Sequence, residues 1–265
     1  MTIIQAIFLG IVQGLTEFIP VSSSGHLLLI QKAMGLAENG FTFDVALHIG
    51  TLMALFLYFY KDLLGMLRAV FVKSDKTKLA WLLIAATIPA AVIGYLFESA
   101  AESSFRSATL VSINLAVFGL IMLLAERYSA RYKKPSDLTN ISRAQALTMG
   151  VAQAAAIVPG ISRSGSTITA GLFMGLDRVS ATRFSFLLGI PITLGAVLKV
   201  LVKRTAITQI SDNSTLFLVG VVTAFVTGLF AIKFMLNYLS KHSLAIFAYY
   251  RLALAGVVLI TVLFK

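Results

Sequence analysis

Two short clusters of polar residues interrupt apolar stretches of the sequence, and their side chains could carry chemistry. The first cluster reads Q-G-L-T-E-F-I-P-V-S-S-S-G-H over residues 13–26. Of eleven acidic residues, Glu17 is the one well inside an apolar run, where an ionisable group is costly and marks a functional site by default. Nearby serines could cap a helix or supply a nucleophile, and His26 could transfer a proton near neutral pH. The first cluster therefore favours a functional site over a purely structural one.

The second cluster, P-G-I-S-R-S-G-S-T over residues 159–167, supplies the opposite charge. Arg163 lies between two serines, and a guanidinium can bind phosphate oxygens through two parallel hydrogen bonds. Glycine and serine in both clusters favour turns whose successive N–H groups form an anion site, strengthened by a following helix N-terminus. A salt bridge between Arg163 and Glu17 is the structural alternative, and the two roles are not exclusive. One buried carboxylate against several arginines predicts a polyanionic ligand.

Several other chemistries are excluded by what the sequence lacks. It has no cysteine, which rules out disulfides, thiol nucleophiles and Cys-ligated metals. It has no GxxxxGK[ST] or HExxH motif, and its three histidines are too far apart in sequence to indicate a zinc site. We expect one of them, His48, to be a packed or interfacial residue. The net charge of +11 could suggest a nucleic-acid partner, but the basic residues lie mostly between long apolar runs.

The elements that hold the clusters are those of an all-α polytopic membrane protein. Of 265 residues, 58% are hydrophobic and 12% charged, about half the charge of a soluble domain. Six runs approach the roughly 20 residues that cross a bilayer core. They are 45–60, 80–97, 107–125, 184–202, 215–236 and 244–264. Segments 3–30 and 145–175 contain the clusters and are interrupted by Pro, Gly and Ser, so we expect each to be broken and re-entrant.

The broken segments also indicate an internal repeat. A shift of 140 residues places Gly10 on Gly150, Gln13 on Gln153, Ser22 on Ser162, Ser24 on Ser164 and Gly25 on Gly165. We predict a first membrane repeat over 1–125, a basic cytoplasmic linker over 126–144 and a second repeat over 145–265. Three crossings in each repeat would invert the second relative to the first, with the site at their interface.

Charge placement predicts the orientation in the membrane. Segment 61–79 and the linker each carry five Lys or Arg residues, which places both in the cytoplasm under the positive-inside rule. Segment 98–106, with Glu98 and Glu102, fits the outside, and both termini follow to the outside. Lys203 and Arg204 lie in a predicted outer loop, against the rule.

At these residues the sequence resembles the bacterial undecaprenyl-diphosphate phosphatase family, known for bacitracin resistance. Beyond the two clusters, the resemblance includes G-L-D-R ending at Arg178, F-S-F-L-L over 184–188 and A-Y-Y-R ending at Arg251. It implies removal of the terminal phosphate from a C55 isoprenyl diphosphate at the outer face of the bacterial plasma membrane. The product, undecaprenyl phosphate, is the recycled lipid carrier for peptidoglycan and other cell-wall polymers.

The resemblance also implies a divalent cation, Mg²⁺ foremost and Ca²⁺ as the alternative, with Glu17 as its candidate ligand. The family often has a second carboxylate where this chain has Gln13, which puts a two-carboxylate metal site in doubt. The expected partners are the polyprenyl diphosphate, the bilayer and a second copy in a homodimer, with no nucleic acid.

The candidate catalytic residues are Glu17, Ser23, His26 and Arg163. Arg163 would clamp the diphosphate and stabilise the transferring phosphoryl group. Either Ser23 attacks with His26 accepting its proton, or a water activated by His26 or Glu17 attacks instead. The candidate substrate-binding residues are Gln13, Ser22, Ser162, Ser164, Thr167, Arg178 and Arg251. The alternative function is an inverted-repeat lipid transporter or flippase that binds polyprenyl phosphates without hydrolysis.

Overall fold

A computed structural model describes residues 1–36, 40–72, 74–97, 105–130 and 138–264. Over these ranges the chain forms twelve α-helices and one 3₁₀ turn, Leu138–Asn140, and no strand. The helices are α1 Ile3–Phe18, α2 Ser23–Ala33, α3 Gly40–Tyr58, α4 Tyr60–Phe71, α5 Asp75–Leu96, α6 Ala108–Ser129, α7 Arg143–Ala155, α8 Arg163–Phe173, α9 Arg178–Leu201, α10 Arg204–Asp212, α11 Ser214–Leu239 and α12 Ala245–Leu263. The all-α class expected from composition is confirmed.

Five described helices, α5, α6, α9, α11 and α12, are long and apolar enough to cross a membrane. Helices α3 and α4 form a sixth candidate span if counted together, although they are bent by 74°. Large apolar side chains on these helices face outward, including Trp81 at 59% exposure and Phe230 at 69%. Soluble proteins rarely expose an apolar surface of this extent, so these helices are those of a multi-pass membrane protein.

Helices α4 and α10 were not predicted from the sequence. Both are short and mix apolar with charged residues, so they do not form the long apolar runs used to find the spans. Some predicted features cannot be compared with the fold: Lys73, the acidic residues Glu98 and Glu102, and linker residues 131–137 lie outside the described residues.

The two segments that carry the polar clusters each fold as a pair of helices separated by a break. The first pair is α1 and α2, and the second is α7 and α8. Ser22 and Ser162 precede α2 and α8, and both have a φ of 76°, a left-handed conformation uncommon for residues other than glycine. Each caps its helix in the same way, since its Oγ accepts a hydrogen bond from the N–H of Gly25 or Gly165. The two breaks are therefore local equivalents, while the inversion of the whole halves stays a prediction.

Each broken segment packs on a long helix of the other half of the chain. Helix α1 runs along α11, where a Cβ at Gly10 would lie 2.7 Å from the Gly220 carbonyl oxygen. Helix α7 packs on α5, where a Cβ at Gly150 would collide with the Ala86 carbonyl. Glycine permits both close approaches because it has no Cβ. This packing of each broken segment on the other half of the chain holds both breaks in the interior.

Candidate active site

The two breaks contact each other, so the N-termini of α2 and α8 converge. The Ser22 hydroxyl accepts a hydrogen bond from the Gly160 N–H at 3.1 Å, which joins the first break to the second. Gly160 has a φ of 95°, and a Cβ there would lie 2.6 Å from the Val111 carbonyl oxygen on α6. Helix N-termini present free N–H groups and a positive dipole end. Their convergence is suited to an anion with more than one charged group.

Glu17, near the end of α1, receives hydrogen bonds from both clusters. Its Oε2 accepts from the Ser23 hydroxyl at 2.7 Å and from the Gln13 side-chain amide at 3.1 Å. Its Oε1 accepts from Nη2 of Arg163 at 2.8 Å, so the salt bridge considered from the sequence is present. Glu17 is only 6% exposed, and these donors compensate the burial of its charge. The carboxylate is placed to accept the proton of Ser23.

Arg163 is positioned by α9 as well as by Glu17. Its Nη1 donates to the Ser185 carbonyl at 3.3 Å, and its guanidinium packs so closely on Gly189 that a Cβ there would collide with it. Thr167 bonds the Arg163 carbonyl at 2.8 Å and the Ser185 hydroxyl at 2.6 Å. Thr167 therefore fixes α8 against α9 and does not line the cavity described below.

His26 lies behind the Ser22 turn, with both ring nitrogens engaged. Because a carbonyl can only accept, Nδ1 donates to the Ser22 carbonyl at 2.8 Å. In the neutral ring, Nε2 then accepts from the Tyr250 hydroxyl at 2.7 Å. The Ser23 hydroxyl bonds Glu17 instead, so the expected pairing of Ser23 with His26 is corrected. In this geometry Glu17 Oε2, and not His26, accepts the hydrogen bond of the Ser23 hydroxyl.

His48, expected to be a packed or interfacial residue, lines the cavity beside Glu17. Its Nε2 lies 3.5 Å from Oε2 of Glu17, and its Nδ1 donates to the Asp44 carbonyl at 2.7 Å. The rule that singled out Glu17 also applies to an ionisable ring within the predicted span 45–60. The position of His48 within an apolar run therefore pointed to the site.

Arg251 clamps the two breaks from the side away from the cavity. It is completely buried, and its guanidinium donates to the Gly160 carbonyl at 2.7 Å and the Pro20 carbonyl at 3.2 Å. Asn114 on α6 adds a bond to the Pro159 carbonyl at 2.9 Å. Arg251 was expected to bind substrate, but it does not line the cavity. Its contacts make it a positioning residue for both turns.

Arg178 also lies away from the cavity, contrary to the expectation that it binds substrate. Its Nε and Nη2 form a two-pronged ion pair with Glu126, the shortest bond being 2.7 Å. Glu126 also accepts from the Leu244 N–H at 2.7 Å. Arg178 starts α9 seven residues before Ser185, or roughly 10 Å along the axis at 1.5 Å per residue. The pair ties together the ends of α6, α9 and α12.

A cavity of about 510 Å³ opens in front of the converging helix N-termini. Its polar end is lined by Glu17, Ser23, Ser24, His48, Gln153, Ser162 and Arg163. Its other end is an apolar slot between α5 and α9 that reaches Tyr95 and Lys199, where Nζ lies 4.7 Å from the ring centroid. Of the predicted substrate-binding residues, Ser162 lines the cavity, while Gln13, Ser22 and Ser164 lie buried behind its wall. The shape suits an amphiphile with an anionic head.

The donor set gives little support to a metal site formed by the protein alone. Among the described residues, no group of three or more His, Asp or Glu side chains could hold an ion. Glu17 is the one carboxylate in the described lining of the cavity, and both its oxygens accept hydrogen bonds from protein donors. Divalent cations prefer several oxygen ligands, so these residues do not fit a resident ion.

Together, the fold and the cavity define a class: polytopic membrane proteins with a cavity, polar at one end, between two broken helical segments. Comparison with known proteins is specific about the family. Residues 6–257 match the family model described as bacitracin resistance protein BacA, and the chain belongs to this family. The resemblance drawn from the two clusters is thereby confirmed.

Three relatives, each named undecaprenyl-diphosphatase, match nearly the full length. The protein of Rubrobacter xylanophilus is 46% identical, with 97% of each chain covered. That of Caldicellulosiruptor bescii is 46% identical, covering 98% of this chain and 97% of the relative. That of Moorella thermoacetica is 42% identical, with 97% of each chain covered.

Proposed function

We propose that this protein is an undecaprenyl-diphosphatase, which hydrolyses undecaprenyl diphosphate to undecaprenyl phosphate and inorganic phosphate. Its family and its full-length relatives support this activity. The observation that carries the proposal is the Ser23 hydroxyl bonded to Glu17, which Arg163 holds in turn, at the polar end of an otherwise apolar cavity. Such an arrangement brings together a nucleophile (Ser23), a proton acceptor (Glu17) and a positively charged side chain (Arg163).

In the first step, the terminal phosphate lies at the two helix N-termini and against Arg163, which offsets charge on its oxygens. Ser23 Oγ attacks the terminal phosphorus as its proton passes to Oε2 of Glu17. The bond from phosphorus to the bridging oxygen breaks, and undecaprenyl phosphate departs with that oxygen. The proton on Glu17 leaves with the departing phosphate, which restores the carboxylate.

In the second step, water attacks the phosphoserine and Glu17 accepts a proton from it. The phosphorus–Oγ bond breaks, Glu17 returns the proton to Ser23, and inorganic phosphate leaves. His48, beside the same carboxylate oxygen, is placed to share that proton. Direct attack by a water on the diphosphate, with Glu17 as its base, is the competing route.

We place the protein in the bacterial plasma membrane, with the cavity open to the outer side. Helix α5 begins beside the basic residues Lys76 and Lys78 and ends near Tyr95 at the apolar end of the cavity. If the basic end is cytoplasmic, as the positive-inside rule requires, the Tyr95 end faces outward. Because the chain has no cysteine, single introduced cysteines report the sidedness of each loop without background labelling.

Two further features stay predictions. A Mg²⁺ or Ca²⁺ requirement would be met by an ion that arrives with the diphosphate, since magnesium is commonly held through substrate phosphates and few carboxylates. The homodimer is the second of these predictions.

The decisive assay measures phosphate release from undecaprenyl diphosphate by the purified full-length protein in detergent. We expect release by the wild-type chain, and loss of release in Ser23→Ala and Arg163→Ala variants that remain folded. A wild-type protein that binds the lipid diphosphate but releases no phosphate would contradict the enzyme and favour the transporter alternative.

A further inference from the structure

Gln153 is a buried residue of the cavity wall whose side chain has no role in the site as described so far. It is 3% exposed, and within the described part of the chain neither its Oε1 nor its Nε2 has a hydrogen-bond partner. Native structures rarely leave a buried amide entirely unpaired, because the loss of hydration is not compensated. Five described residues have unpaired buried polar atoms, and Gln153 is the one that lines the cavity.

The correspondence between the two broken segments shows why this amide has no partner. Gln153 matches Gln13 under the 140-residue shift. Gln13 donates to Glu17, which lies four residues later on the same face of α1. The position four residues after Gln153 is Ile157, which offers no acceptor. The second half thus keeps the glutamine without its carboxylate, and the amide is left unpaired within the cavity wall.

The surroundings of Gln153 indicate which part of a diphosphate it would meet. Helices α7 and α5 touch at Gly150, one turn before Gln153, and Ala90 of α5 lines the same cavity. The break that follows α7 leads to Arg163 at the polar end. Gln153 therefore lies at the polar end, on the side that adjoins the apolar α5 wall. A substrate with its terminal phosphate at Ser23 and its tail along α5 would bring its lipid-bearing phosphate past this amide.

We propose that Gln153 binds the lipid-bearing phosphate, with Nε2–H donating to a non-bridging oxygen. This inference rests on the proposed function and assigns the substrate's second phosphate to a named residue. A neutral donor suits that phosphate because it stays on the product, which must leave. An arginine at this position would add a full positive charge and a pair of parallel donors, and would hold the product longer.

Gln153→Met tests the proposal, because it keeps the length of the side chain and removes both amide atoms. In the full-length purified protein, we expect KM for undecaprenyl diphosphate to rise about tenfold, with kcat within about twofold of wild type. The dissociation constant of undecaprenyl phosphate should rise by the same factor. Thr169→Val is the matched control, since it removes another buried unpaired polar atom, 4% exposed and away from the cavity. It should change neither constant.

Unchanged constants in a folded Gln153→Met protein overturn the proposal. A fall in kcat at constant KM also overturns it, since the amide would then act on the reacting atoms. If Gln153→Met does not fold, Gln153→Glu is the second test, because its carboxylate has nearly the same shape but repels phosphate. Both KM and the dissociation constant should then rise further. Unchanged constants in a folded Gln153→Glu protein also overturn the proposal. Binding of undecaprenyl phosphate is measured without turnover, so a wild-type chain that lacks phosphatase activity contradicts the proposed function separately.

Discussion

Replacing Glu17 by Gln tests two roles of the carboxylate: it accepts a proton, and it places a negative charge in the cavity. The substitution keeps the shape of the side chain and an oxygen that can still accept from Arg163. It removes the proton acceptor that lies 2.7 Å from the Ser23 hydroxyl. It also removes a negative charge from a cavity that receives an anion. We therefore expect slower turnover together with tighter binding of the diphosphate.

The two effects have different sizes. General-base assistance contributes about 10²–10⁴-fold, so kcat should fall by that factor. Two unit charges 4 Å apart repel by about 4 kcal/mol at an effective dielectric of 20. Because Arg163 already offsets part of the Glu17 charge, we expect about 1.4 kcal/mol of this repulsion to be relieved, which is a roughly tenfold lower Kd.

The assay pairs steady-state phosphate release with equilibrium binding of undecaprenyl diphosphate to the slow variant. Glu126→Gln is the matched control, because Glu126 is also a buried carboxylate, 7% exposed, paired with an arginine at 2.7 Å but outside the cavity. That control should lower thermal stability and leave kcat of the folded protein unchanged. A Glu17→Gln enzyme with kcat within tenfold of wild type would refute Glu17 as the proton acceptor, and weaker binding would refute the charge argument.

The remaining predictions concern the nucleophile, the histidines, the buried clamp and the cation. Ser23→Ala should abolish the phosphoenzyme trapped by acid quench; turnover retained there would favour water as the nucleophile. His48→Gln should lower kcat about 10–100-fold, whereas His26→Gln should mainly lower Tm, because its ring bonds the Ser22 turn and Tyr250. Arg251→Met should cost about 3 kcal/mol or more of stability, seen as a lower Tm, since it leaves buried carbonyls without donors. EDTA should reduce phosphate release and added Mg²⁺ restore it; full activity in EDTA would contradict a cation requirement.

Composition and periodicity were enough to predict the helical class, the broken segments and the two clusters. These features follow from local physics: apolar runs of bilayer length form spans, and Pro, Gly and Ser interrupt them. The equivalence of Ser22 and Ser162 was also visible, because the 140-residue shift aligns them together with the serine and glycine that follow.

Pairings across the interior could not be predicted in the same way. Arg163 and Arg178 both begin helices, yet Arg163 reaches Glu17 while Arg178 pairs with Glu126 on α6. Likewise, His26 lies within the first cluster but bonds Tyr250, and His48, outside both clusters, approaches Glu17. Each outcome depends on which helix packs opposite, and that is set by long-range contacts rather than by motif spacing.

The exchanged packing of the broken segments also sets the order in which the enzyme can be completed during synthesis. Gly10 of α1 meets Gly220 of α11, which the ribosome adds 210 residues later. At about 5–20 residues per second, α1 waits roughly 10–40 s for its neighbour. Arg251, which ties both turns together, arrives later still. A nascent chain therefore holds Glu17 in the bilayer before Arg163 is made, and we expect hydrolysis only once the last helix has packed.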